Sequence, residues 1–256
     1  EEDLADLEAT YVADLDQDGT TTGVAQETVT GTLVKGPLGK AIVGLDLDGD
    51  GIISESEPQA VTNDDGSYTL ATSDSNAVLI ATTTSETVDA SSGELLPNVT
   101  LKAPAGATVI TPATTILEAT PDIQPAQLAA ALGMPSVGAD GVAIDITTFN
   151  PYAEGADPAA ALAAEQAAQS VMVTIKAVSA AAEGAGMNVE DAFEQAMASV
   201  AEVVSVEAEK IDVSSTASIA AAEATMATTK VDFSDSTVLE AVSNAVQTKV
   251  VEAAAA

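Results

Sequence analysis

Two hydrophobic patterns divide the chain. Between about Val29 and Ile110, short runs of Val, Ile, Leu and Thr are separated by clusters of Gly, Pro, Asn and Asp. Short alternating runs bounded by turn residues predict β-strands, and several strands at this spacing favour a β-sandwich. The candidate strands carry these alternating positions: Val29, Gly31 and Leu33; Val43, Leu45 and Leu47; Tyr68 and Leu70; Val78 and Ile80.

Beyond Thr111 the apolar residues take helical spacing. The pattern predicts a short helix from Gln124 to Leu132, closed by Gly133, and a long Ala-rich helix from Pro158 to about Ala182. We interpret the apolar stripes as core packing, although so much Ala also permits close contacts between subunits. Two further stripes are Val189, Phe193, Met197, Val200 and Val204, and then Val238, Val242, Val246 and Val250.

These patterns predict an α+β chain in three parts. Residues 1–28 are acidic and Thr-rich, and we interpret them as an arm that could donate a strand or contact another subunit. Residues 29–110 form an Ig-like antiparallel β-sandwich, and residues 111–256 form an Ala-rich helical domain.

The charge balance argues against two classes of binding partner. Forty Asp and Glu face seven basic residues, all of them Lys, and the formal net charge is -33. Such a surface repels nucleic acid and disfavours anionic membranes. The acidity has two compatible interpretations: a solvated surface suited to salty water, and a supply of metal ligands.

The residue types that are missing argue against catalysis. The chain has no Cys, His, Trp or Arg, which removes disulfides, metal ligation by soft ligands and catalysis by His or Cys. No spacing singles out a carboxylate pair or a Ser–Lys pair among so many acids. We therefore predict that the protein is not an enzyme and has no catalytic residues.

The most specific motif is the run from Asp46 to Glu57, DLDGDGIISESE. Calcium takes six to eight hard oxygen ligands, and acids at loop positions 1, 3 and 5, a carbonyl at 7 and a Glu at 12 can surround one ion. Gly51 permits the sharp turn, and Ile53 can anchor the loop to a core. An acidic hairpin turn without an ion is the alternative. The predicted Ca²⁺ ligands are Asp46, Asp48, Asp50, the carbonyl of Ile52, and Glu57.

A second acidic run repeats the first half of this motif. Asp14, Asp16 and Asp18 are followed by Gly19, but Ala25 stands where the closing Glu belongs. We predict either a weaker second calcium site that borrows Glu27 or a neighbour's carboxylate, or a solvated turn.

Several stretches carry a resemblance to a known family. Residues 36–51 read GPLGKAIVGLDLDGDG, residues 57–58 are Glu-Pro, and residues 62–70 read TNDDGSYTL. This order resembles the prealbumin-like β-sandwich modules of bacterial surface proteins, which include SD-repeat B-type, collagen-adhesin B-type and carboxypeptidase regulatory-like domains. The resemblance implies a calcium-binding, prealbumin-like sandwich displayed outside the cell.

The resemblance continues to about residue 155. Large secreted adhesins of marine bacteria have a similar passage from sandwich to helices. In the collagen-adhesin relatives a Lys of the first strand can bond to an Asn of the last, but we interpret Lys35, with Asn98 in the comparable place, as an ordinary solvent-facing lysine. The matching phrases are DASSG at 89–93, LKAPAG at 101–106, TPATTI at 111–116, GMP at 133–135 and ITTFNP at 146–151.

Together these observations predict a secreted, calcium-stabilised structural or adhesive protein of a bacterial cell surface. It would be a subunit of an extracellular filament, surface layer or biofilm matrix that associates with itself or with other surface proteins and has no membrane span. The chain starts at Glu1, and we expect a processed or trimmed product. The alternative is a carbohydrate-binding or accessory module of a larger adhesin or hydrolase, but Tyr11, Tyr68 and Tyr152 are too scattered to form an aromatic platform.

Overall fold

A computed structural model describes residues 27–184, 186–206 and 216–227 of the chain. Nine strands are followed by five helices in this part of the chain, which confirms the mixed α+β class. The strands are β1 Glu27–Leu33, β2 Leu38–Gly39, β3 Ile42–Asp46, β4 Gln59–Val61, β5 Ser67–Thr72, β6 Val78–Thr82, β7 Val88–Asp89, β8 Thr100–Ala103 and β9 Val109–Ile110.

The strands form two main sheets and one small one. The four-stranded sheet has the order β4-β3-β6-β8, the three-stranded sheet has the order β5-β1-β9, and β2 pairs with β7. Buried positions alternate along β5, where Tyr68, Leu70 and Thr72 face the core and Thr69 and Ala71 face solvent. This period of two is what the sequence pattern predicted.

One strand pair differs from the predicted antiparallel arrangement. Strand β9 runs parallel to β1, with Thr32 opposite Val109 and Leu33 opposite Ile110. The chain leaves β8 and returns beside β1 in the same direction, and it then enters the helices.

The cross-strand pair of Gly31 and Tyr68 explains a glycine within β1. A Cβ at Gly31 would collide with the Tyr68 hydroxyl and the Thr108 carbonyl oxygen. Tyr68 is 3% exposed, and its hydroxyl has no hydrogen-bond partner among the described residues. Burial raises the pKa of this phenol above its usual range.

The five helices cover part of the sandwich. Two predicted helices are confirmed at nearly their predicted bounds, and the stripe that begins at Val189 is also helical. The helix predicted from Val238 lies outside the described residues. The helices are α1 Pro112–Ala119, α2 Pro125–Ala131, α3 Pro158–Gly184, α4 Val189–Val206 and α5 Thr216–Ala227.

Helix α1 joins the sandwich to the helical region. Thr111 is its N-cap, with a capping box to Thr114 and Pro112 in the first turn. The Thr115 hydroxyl accepts a hydrogen bond from the Lys102 amide at 2.9 Å, and the Thr114 hydroxyl donates to the Lys102 carbonyl at 3.0 Å. Two threonine side chains therefore take the place of a neighbouring strand at the edge of β8.

A single hydrophobic core runs through both regions. It includes Leu33, Leu45 and Leu101 from the sandwich and Ile116 and Ile175 from the helices. No helix within the described ranges combines the length and the apolar character that crossing a bilayer requires.

Candidate metal centre

The predicted calcium loop connects β3 to β4. Asp46 is the last residue of β3 and is 8% exposed, so the loop starts from a fixed, buried point. Ile53 packs over Gly44 of the same strand, where a Cβ would come 2.7 Å from Ile53 Cγ2. The packing of Ile53 agrees with its predicted role as the apolar anchor of the loop.

The Asp46 carboxylate organises the turn. Its Oδ1 accepts hydrogen bonds from the amides of Gly49 at 2.8 Å and Asp50 at 3.1 Å, and its Oδ2 accepts one from Gly51 at 3.0 Å. Gly49 and Gly51 have φ of +75° and +84°, a region that glycine enters at low cost. These two glycines turn the backbone amides toward one carboxylate.

Asp46, Asp48 and Asp50 come together as the spacing predicted. One carboxylate oxygen from each lies within 4.8 Å of the other two. The side chains of Asp48 and Asp50 are exposed, and each accepts one local amide, from Asp50 at 3.1 Å and Ile52 at 2.8 Å respectively. Three carboxylates at this spacing repel one another unless a cation lies between them, and hard oxygen ligands suit Ca²⁺.

Glu57 has a different geometry from the three aspartates. It is 8% exposed, and its Oε1 and Oε2 accept the amides of Leu47 and Ser54, both at 2.7 Å. The Ser54 and Leu47 amides lower its pKa, because they stabilise the ionised carboxylate. Glu57 closes the two ends of the loop, and the three-aspartate cluster does not include it. The Ile52 side chain is 65% exposed and points away from the core.

A groove beside the loop contains charged residues that the sequence analysis missed. Its volume is about 450 Å³, and its lining combines Asp46 and Asp50 with Lys102 of β8, Glu118 of α1 and Phe193 of α4. Burial raises the pKa of Glu118, the Lys102 ammonium opposes that rise, and the Asp46 carboxylate adds to it. The loop thus faces the helices, and its charges act on a carboxyl of α1.

The sequence gives no signal for Lys102 and Glu118. They lie more than 50 residues beyond Asp46 and reach the groove only because α1 packs along β8. The Lys102 ammonium lies 3.2 Å from the position that a Cβ of Gly51 would occupy. Asp14, Asp16 and Asp18, the predicted second site, lie outside the described residues.

The interpretation of Lys35 as a solvent-facing lysine is wrong. Its side chain is 14% exposed, and its Nζ pairs with Asp89 Oδ2 at 2.8 Å. Asp89 also accepts the amide and the hydroxyl of Ser91. The pKa of Asp89 is lowered although burial opposes this, because Lys35 and Ser91 favour the ionised form. Gly36, with φ of +67°, leaves room for this carboxylate.

Comparisons with known proteins add no relative. No family model, no curated protein and no solved structure matches the chain.

Proposed function

We propose that this chain is a secreted, calcium-stabilised structural or adhesive protein of a bacterial surface, a subunit of a filament, surface layer or biofilm matrix. Its strands would form a prealbumin-like sandwich, in line with the sequence resemblance. The observation that carries the proposal is the convergence of Asp46, Asp48 and Asp50 at the end of a buried strand. Calcium would neutralise these carboxylates and stabilise the folded chain over the unfolded one.

The proposed ligand set is Asp46, Asp48, Asp50, the Ile52 carbonyl and Glu57. The hydrogen bonds of Glu57 are compatible with this role, since each carboxylate oxygen has two lone pairs and can accept an amide while it binds a cation. Held by two amides, Glu57 is already ordered before an ion arrives.

Calcium also bears on the helical region in this proposal. Asp46 and Asp50 line the same groove as Glu118 and Phe193, so the ion would lower the negative charge next to α1 and α4. We expect the ion to stabilise the packing of the helices on the sandwich as well as the loop.

The carbohydrate-binding alternative has less support. Tyr68 is buried in the sandwich, and Tyr152 is 43% exposed with its hydroxyl bonded to Glu165 at 2.7 Å. Tyr11 lies outside the described residues. Stacking on sugars favours exposed aromatic faces, and these tyrosines do not form one together.

The first test is thermal unfolding with and without calcium in about 150 mM NaCl, which screens surface charge. A ligand at a hundredfold excess over its Kd stabilises by about 2.7 kcal/mol, or roughly 5–10 °C in Tm for a chain of this size. Asp48→Asn should abolish most of this rise, because it removes one ligand charge at an exposed position. Asp122→Asn, an exposed change of equal charge outside the loop, should keep it.

Two outcomes would contradict the calcium site: a Tm that does not respond to calcium, or equal responses of the two variants. The structural role has its own readout, which is negative-stain electron microscopy of the native material before and after chelation. We expect filaments or layers that dissolve when calcium is removed. Dispersed single particles under both conditions would leave calcium binding intact and remove the structural role.

A further inference from the structure

Lys102 and the first ligand of the calcium loop lie on the same face of the four-stranded sheet. Ile80 of β6 pairs with Gly44 of β3 on one side and with Lys102 of β8 on the other. Residues opposite each other across a ladder point to the same side of a sheet, and the side repeats every second residue. Asp46, two residues after Gly44, therefore shares its face with Lys102, and both line the groove beside α1 and α4.

The Lys102 ammonium extends across β6 to the loop. Its Nζ lies 3.2 Å from the position that a Cβ of Gly51 would occupy, and Gly51 directly follows Asp50 in the loop. Within the described ranges no carboxylate oxygen lies at ion-pairing distance from this Nζ. The charge of Lys102 is therefore close to the loop, but it is not held by one carboxylate.

Lys102 is a single cation among several anions in this groove. Of the described residues that line the groove, Lys102 alone is basic, whereas Asp46, Asp50, Glu118 and Glu194 are acidic. Among these groups its ammonium is thus the one charge that attracts the loop carboxylates.

A positive charge at this place has two opposite effects. Without calcium, the ammonium attracts Asp46 and Asp50 and lowers the repulsion among the three aspartates. When calcium binds, the same ammonium repels the divalent ion and lowers its affinity. A lysine that only packs its stem against the groove would show neither effect, so the two roles can be distinguished.

We propose that Lys102 is a tethered counter-cation of the calcium loop, which stabilises the loop when the ion is absent and weakens the binding of the ion. This inference rests on the calcium site of the proposed function. The flexible stem of lysine lets the ammonium turn away from the arriving ion, and Glu118 of α1 offers a second carboxylate in the same groove. Calcium thereby exchanges with the ammonium at the loop and moves the charge of Lys102 toward α1.

This charge sets the calcium concentration at which the loop responds. Calcium affinities of loop sites depend on ligand charge and on rigidity, and extracellular modules have weak sites with Kd of about 10⁻⁴–10⁻³ M. An opposing cation lowers the affinity without removing a ligand. It also keeps the loop folded at low calcium.

The test is calcium titration by isothermal calorimetry on the full chain in about 20 mM salt, where charges are weakly screened. Lys102→Met keeps the length and the apolar stem of the side chain and removes its charge. We expect its calcium Kd to fall about three- to tenfold below that of the parent, because the repulsion between ammonium and ion is lost. Its calcium-free Tm should fall by about 2–4 °C, because the loop carboxylates lose their counter-cation.

Two control variants separate the charge at the loop from charge in general. Lys40→Met makes the same charge change at an exposed position before β3, at the other end of that strand from Asp46. Its Kd and its calcium-free Tm should stay close to those of the parent. Lys102→Arg keeps the charge and should bind calcium with nearly parental affinity.

Salt gives a further control on the same variants. In about 1 M NaCl the Debye length falls to about 3 Å, so the difference in Kd between Lys102→Met and the parent should shrink severalfold.

A measurement on the parent chain does not depend on the folding of any variant. The side-chain NMR signals of Lys102 should shift as calcium is titrated, because the ammonium moves away from the ion. Those of Lys40, at the far end of β3, should stay in place.

Three results would overturn the inference and leave the calcium site standing: equal calcium affinities of Lys102→Met and Lys40→Met, weaker calcium binding by Lys102→Met than by the parent, or Lys102 signals that do not respond when the parent binds calcium. A parent chain that binds no calcium would remove the calcium site and this inference together.

Discussion

The sandwich and the helical region share one core but fill it with different side chains. The sandwich buries large residues such as Leu33, Leu45 and Leu101. The helices bury a series of alanines, among them Ala182 and Ala196, between fewer large residues. A buried Leu contributes about 1.5–3 kcal/mol through transfer from water, whereas a buried Ala contributes much less.

This difference shows that the two regions are stable for different reasons. The sandwich depends on the area of apolar surface that it buries. The helices depend on close approach and on the high helix propensity of Ala. Substitutions that remove side-chain volume should therefore destabilise the sandwich most, and substitutions that add volume should destabilise the helices most.

The largest expected effect is that of Leu45→Ala, at the position before the last residue of β3. Leu45 is fully buried, and its truncation leaves a cavity, so we expect a loss of about 2–5 kcal/mol of unfolding free energy. Urea unfolding followed by circular dichroism measures it. Leu162→Ala, at a position 55% exposed on α3, is the control and should change stability little. Equal losses in the two variants would mean that the buried apolar area does not determine the stability of the sandwich.

Addition of volume tests the helices. Ala182→Leu introduces three heavy atoms at a fully buried position of α3, and overpacking should cost about 1–3 kcal/mol. Ala180→Leu on the same helix is exposed and should be nearly neutral. The same unfolding experiment compares them. A stable Ala182→Leu variant would show that the helices are not closely packed there.

The smallest expected effect tests the junction of the two regions. Thr115→Val keeps the shape of a buried side chain but leaves the Lys102 amide without its partner, which should cost about 1–2 kcal/mol. Thr82→Val, at an exposed position of β6, gives the baseline. If both variants unfold alike, the hydroxyl does not hold α1 to β8.

Elements with strong internal patterns could be predicted from the sequence. Strand β5 alternates cleanly, and helices α3 and α4 have long apolar faces. Helix α1 could not be placed, because its eight residues include two threonines and form no amphipathic stripe of useful length. It is stabilised by its capping box and by its contacts with β8, which no local pattern encodes.

The residues of the candidate site fall into the same two groups, those that the local sequence pattern predicts and those that tertiary packing brings together. The convergence of Asp46, Asp48 and Asp50 follows from their spacing, since one tight turn brings them together. The double amide contact of Glu57 was not foreseen, because it depends on where the loop closes on itself. Lys102 and Glu118 join the groove through tertiary packing, and the buried pair of Lys35 and Asp89 also forms at long range.

The threonine cover of β8 has a consequence for the order of events during synthesis. Strand β8 leaves the ribosome about ten residues before Thr114 and Thr115, and at roughly 5–20 residues per second the nascent chain exposes this edge for about a second. For that interval the backbone groups at the edge of β8 have no cover, and a neighbouring nascent chain can pair with them. Once α1 forms, its two threonines satisfy the Lys102 backbone, so a chain that ends before residue 114 would keep an exposed strand edge.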